Sequence, residues 1–93
     1  MNDNIDKKYR AAAWRWSKLQ RQHDCEVERE FQAYDREDDR AAERSADKQF
    51  EIAAKITEIE SSVPKSQLKI WKREHDRDTE ALAELRAMIG GAA

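Results

Sequence analysis

The 93-residue chain contains one proline, Pro64, and two glycines, Gly90 and Gly91. Upstream of Pro64 nothing breaks a helix. Sheets and turn-rich folds need breakers at their reversals, so this distribution argues against a β-rich fold. The composition agrees. Ala, Glu, Lys, Leu and Arg supply 47 of the 93 residues, the usage of coiled coils and long helices. Phe, Ile, Leu and Val supply only 14, so the core is thin. A chain this small and this polar gains stability from a partner or from self-association.

The richest stretch is 45–63. Ile52, Ile56, Ile59 and Val63 mark one side of a helix, and Ala46, Phe50, Ala53 and Thr57 mark another. A helix with two apolar stripes has neighbours on two sides. Upstream, Ile5, Tyr9, Ala12, Trp16, Leu19 and His23 form a heptad-like stripe, which Val27, Phe31 and Tyr34 continue after a one-residue slip. Asn2, Asp3 and Asn4 are N-cap candidates, with Asp6 in the first turn. Between Asp35 and Lys48 apolar residues thin out. Acidic and basic rows run side by side there, and the pairs Arg36–Asp39, Arg40–Glu43, Arg44–Asp47 and Lys48–Glu51 are each worth roughly 0.2–0.5 kcal/mol. Such a ladder carries one long helix over 5–60. The alternative is a turn near Asp38–Asp39 and a compact three-helix bundle, since Asp favours turns and N-caps.

Residues 61–66 are a clear turn, with Ser62 or Val63 able to cap the helix after it. That helix spans 65–89. Leu68, Trp71, His75, Asp78, Leu82, Leu85 and Ile89 repeat along it without error. Gly90 and Gly91 suit a C-cap, leaving 90–93 as a tail. The short connection predicts an antiparallel, coiled-coil-like helical hairpin within a single all-α domain. In that register Ile59 faces Leu68, Ile56 faces Trp71, Ile52 faces His75, Gln49 faces Asp78 and Ala42 meets Leu85. The helix–helix core is then Ile52, Ile56, Ile59, Leu68, Trp71, Leu82 and Leu85. His75, Asp78 and Gln49 form a polar layer that sets register. The N-terminal half is left to fold back or to pair in a homodimer.

Charge is segregated. Residues 1–22 hold six cations and two acids, residues 23–62 six cations and thirteen acids, and residues 63–93 six cations and five acids. A basic end and an acidic middle suit self-association. Lys7, Arg10, Trp14, Lys18 and Arg21 share one helical row, opposite Trp16. A tryptophan among four cations suits an acidic protein surface, phosphate and a stacked base, or cover by its own neighbours' stems. The acidic rows could alternatively mimic a nucleic acid and block a DNA-binding protein.

No sequence motif points to a cofactor or to catalysis. His23 and Cys25 point to opposite sides of a helix and are too few for zinc. His75 and Asp78 lack a nucleophile pocket, and no phosphate loop or nucleophile elbow is present. The lone Cys25 forms no internal disulfide and fits a reducing cytoplasm. No signal peptide or membrane span is expected. The expectation is a non-enzymatic adaptor or inhibitor that binds itself and another protein. Nucleic-acid binding through the Trp14 row is the runner-up. Small charged helical chains are also common among phage and plasmid accessory proteins, an analogy only.

Overall fold

The computed structural model describes residues 5–91. The chain is all-α. A 3-10 turn over Lys7–Tyr9 leads into helix α1, Arg10–Asp35, followed by α2, Asp39–Ser61, and α3, Lys65–Gly91. Helices α1 and α2 form a closely packed antiparallel hairpin. Helix α3 crosses its open end, where α1 begins and α2 finishes.

The unbroken helix expected over 5–60 is interrupted at 36–38. The break is built from local hydrogen bonds. Asp38 N–H donates to the Ala33 carbonyl at 2.8 Å, and Glu37 N–H donates to that of Tyr34 at 3.0 Å. This is a Schellman ending, with Glu37 in the left-handed position at φ 58°. Asp38 then caps the next helix, its Oδ1 accepting from Ala41 N–H at 3.1 Å. The energy balance explains why the turn wins. The four ladder pairs amount to at most about 2 kcal/mol together, and none of them forms an ion pair here; among the described residues the ion pairs are Glu26–Arg29 and Glu74–Arg77. Folding back buries Ala13, Trp16, Ile56 and Ile59, and a large apolar side chain alone contributes about 1.5–3 kcal/mol.

The core sits at the open end. Ile5, Ala13, Trp16, Ile56, Ile59 and Trp71 are buried together, with Ile52, Val63 and Leu68 packed against them. Toward the closed end α1 and α2 meet through small residues, since Ala33, Ala42 and Ser45 are all buried. The buried stripe of α1 keeps its heptad step through Glu26 and Ala33 without the expected slip, so Phe31 and Tyr34, one position off it, lie exposed. Phe50, on the second stripe of α2, is exposed as well.

The turn after α2 is where expected, but its capping differs. Ser62 Oγ donates backward to the Ile59 carbonyl at 2.7 Å, closing α2. The Pro64 carbonyl opens α3 by accepting from Gln67 and Leu68 N–H. Helix α3 also continues through Gly90 to Gly91, and no glycine among the described residues has positive φ. The expected N-cap residues Asn2–Asn4 and the tail residues Ala92 and Ala93 lie outside the described residues.

The largest correction concerns α3. It does not lie back along α2, so the pairings of Gln49 with Asp78 and Ala42 with Leu85 are not made. Its first three turns pack on the hairpin and the remainder overhangs. Every residue from 76 to 89 is exposed. Leu82 and Leu85, expected in the core, are 43% and 52% exposed. The molecule measures 45 × 37 × 16 Å, little thicker than one helix, with a radius of gyration of 15.8 Å. A compact chain of this length would have about 12 Å, and the difference reflects the overhang.

Candidate partner-binding groove

The break at 36–38 lets α1 fold back so that Trp16 becomes the junction of three helices. Trp16 Nε1 donates to Glu60 Oε2 of α2 at 3.4 Å. Its ring lies 6.0 Å from that of Trp71, tilted by 52°. It meets His75 edge-on at 5.5 Å. Both geometries are in the favoured range for aromatic pairs. One residue on, Ser17 Oγ lies 3.1 Å from His75 Nδ1. These contacts fix where α3 crosses α1.

Beside the crossing, α1 and α3 frame an open groove of about 670 Å³. Trp14, Trp16 and Trp71, with Ile5 and Ala13, supply its apolar lining, and Ser17, Lys18, Arg21, Glu74, His75, Arg77 and Asp78 its polar lining. Two separate sequence features therefore meet in one place. Trp14, Lys18 and Arg21 come from the basic row, and His75 and Asp78 from the expected polar layer. Lys7 and Arg10, the other members of the row, do not line the groove. Trp14 is 56% exposed, and Lys18 Nζ sits 5.3 Å from its ring centroid, a cation–π contact within its own helix.

The polar layer itself is divided. Gln49 lies far from α3 and bridges the hairpin, its Nε2 donating to Glu30 Oε1 at 2.7 Å and to the Glu26 carbonyl at 3.3 Å. His75 faces Ser17 and Trp16 in place of Ile52. Asp78 is exposed at the groove mouth. Sequence reasoning missed Ser17, because no periodicity within one helix shows which hydroxyl a distant histidine will meet. It also missed Ala13, whose small size lets α3 approach α1.

The Ser17–His75 contact resembles a nucleophile–base pair only in its atoms. Ser17 lies inside α1, where backbone N–H groups are committed to the helix, so no donors are free to hold an oxyanion. His75 and Ser17 act as a clasp between helices. Cys25 is an exposed free thiol. Among the described residues no three His, Cys, Asp or Glu side chains cluster as metal ligands do. No helix there is long and apolar enough to cross a membrane.

Two smaller features lie on the hairpin. Glu26 is buried, with Oε1 bonded to Arg29 at 2.8 Å and Oε2 without a partner. It opens on a shallow cleft of about 340 Å³ lined by Arg29, Arg36, Arg44 and Lys48. Nearby, the Tyr34 hydroxyl bonds to Glu30, and that bond and the carboxylate's charge raise the Tyr34 pKa above its ordinary value.

The fold thus defines a small all-α protein with an open groove between α1 and α3. No protein family, curated protein or solved structure matches the chain.

Proposed function

We propose that this chain is a non-enzymatic protein-interaction module, a small helical adaptor or inhibitor that self-associates and docks on a larger protein assembly. The overhang of α3 carries this reading. Leu82, Leu85, Met88 and Ile89 are 43%, 52%, 74% and 67% exposed. With Ala81 they span an arc of about 120° on one helical face. Folded monomers rarely leave so contiguous an apolar patch bare. Arg77, Glu80, Glu84 and Arg86 surround it, the polar rim that interfaces share. The single free thiol suits a reducing cytoplasm.

A photoreactive amino acid replacing Met88, in cells expressing the full chain, tests the reading. Discrete adducts to proteins other than the chain itself are expected, and they should vanish when Leu82→Glu and Leu85→Glu are added. A diffuse smear that the added charges leave unchanged would sink it.

A second reading rests on Trp14. Half-exposed among cations, it could stack on a base while Lys18 and Arg21 hold phosphates. In that case Lys18→Ala and Arg21→Ala each flatten the salt slope of binding by about one. No mobility shift at about 50 mM salt would dispose of this alternative.

A further inference from the structure

The interaction reading leaves open what first covers the overhang. We infer that it is a second copy of this chain, with the two α3 helices antiparallel about a two-fold axis between residues 83 and 84. The inference rests on that reading and names one partner for it.

Three observations lead there. The first is the stripe itself. Asp78, Leu82, Leu85 and Ile89 are its bare positions. A parallel pairing would stack Asp78 on Asp78 and bring two carboxylates together in the seam, which is unfavourable. An antiparallel pairing sets Leu82 of each copy against Leu85 of the other. Ala81 then lies beside Met88, and Thr79 beside Arg86. Asp78 falls level with Ile89 of the other copy at the end of the seam, where water still reaches it.

The second is the register. Helix α1 already covers Trp71, 2% exposed, and Glu74, 7% exposed, on the same face of α3. A partner helix cannot slide past them, so the overlap is confined to the overhang, about four turns. The chain's own fold sets the length of the contact.

The third is charge. The segment 76–89 holds four acids and two bases, whereas 5–22 holds six cations and one acid. In this register the C-terminal end of one α3 reaches the mouth of the other copy's groove. Helix C-termini carry partial negative charge, and at that groove the cations Lys18, Arg21 and Arg77 outnumber the acids Glu74 and Asp78. Met88 and Ile89 arrive there with apolar surface, beside Trp14, which is 56% exposed. The two-fold axis makes every one of these contacts twice.

The test is molar mass by sedimentation from about 1 µM to about 200 µM. The full chain should form a dimer. Leu85→Arg, an exposed change that leaves the helical circular-dichroism signal intact, should raise the dimer dissociation constant at least about 100-fold. Lys18→Glu with Arg21→Glu should raise it about tenfold at low salt and less at high salt. Orientation is read by oxidising a mixture of Leu82→Cys and Leu85→Cys chains, both carrying Cys25→Ser and one a size tag. Antiparallel helices yield the mixed disulfide, while parallel helices yield Leu82→Cys homodimers and overturn the inference. A dimer that Leu85→Arg leaves intact overturns it too, with self-association then running through another face. A chain monomeric throughout overturns it and removes self-association from the proposed function, whose docking on a different protein the cross-linking experiment reads separately.

Discussion

Helix α3 contains two halves with the same pattern and opposite fates. Up to His75 the stripe residues Leu68, Trp71 and His75 pack on α1 and the core. From Asp76 onward the stripe continues in step through Leu82, Leu85 and Ile89, and every residue is exposed. Periodicity determines which side of a helix is apolar. It carries no information about where the neighbour ends. That depends on the path of α1, which crosses α3 at Trp16 and Ser17 and then leaves toward the closed end of the hairpin.

The largest effect should separate the halves directly. Trp71→Ala should cost about 3–5 kcal/mol in chemical denaturation, because a buried indole is lost from the junction of three helices. Leu82→Ala should change stability by less than about 0.5 kcal/mol at concentrations where the chain is monomeric. Equal losses from the two substitutions would break the comparison and mean that α3 lies back along α2 in solution.

How much was legible in the sequence divides in the same way. The all-α class, the turn at 61–66 and the grouping of Ile56, Ile59 and Trp71 came from breakers and spacing, which act locally. The break at 36–38 was legible only as the alternative, a turn near Asp38–Asp39, because it depends on a small difference between a charge ladder and the burial gained by folding back. Phe31 and Tyr34 were misplaced for a related reason. Large aromatics look like core and suggested a slip in the stripe, yet the burial continues in step through Glu26 and Ala33 and leaves them one position outside it. The groove was visible only as two unrelated features, Trp14 with its cations and His75 with Asp78. A third helix had to cross before they met.

The break also contrasts with the overhang, since both stretches lack apolar cover on their own. One bends and the other runs straight. Residues 36–38 carry the means to bend, with Asp38 closing α1 through its N–H and capping α2 through its carboxylate. Nothing comparable interrupts 76–89. Asp38→Ala should therefore cost about 1 kcal/mol. Glu37→Gly should act in the opposite direction and stabilise by up to about 1 kcal/mol, because glycine adopts φ near 58° without the steric cost that Glu37 bears. A loss of stability in Glu37→Gly would mean that the helix passes through this point unbroken.

The smallest effect lies on the boundary between the halves. The Ser17–His75 hydrogen bond at 3.1 Å is the last side-chain clasp before the overhang begins. It is half-buried, so Ser17→Ala should cost only about 0.5–1 kcal/mol. Its signature is spatial more than energetic. Amide hydrogen exchange in the monomer should already be fast over 76–89 and slower over 68–75, because opening the first stretch disrupts no buried contact. Without the clasp the boundary should retreat toward Trp71, and exchange should quicken around residues 72–75 alone. Faster exchange spread evenly along α3 would mean that the helix docks as one unit, and that the division between its halves is an accident of where its side chains end and not of how it is held.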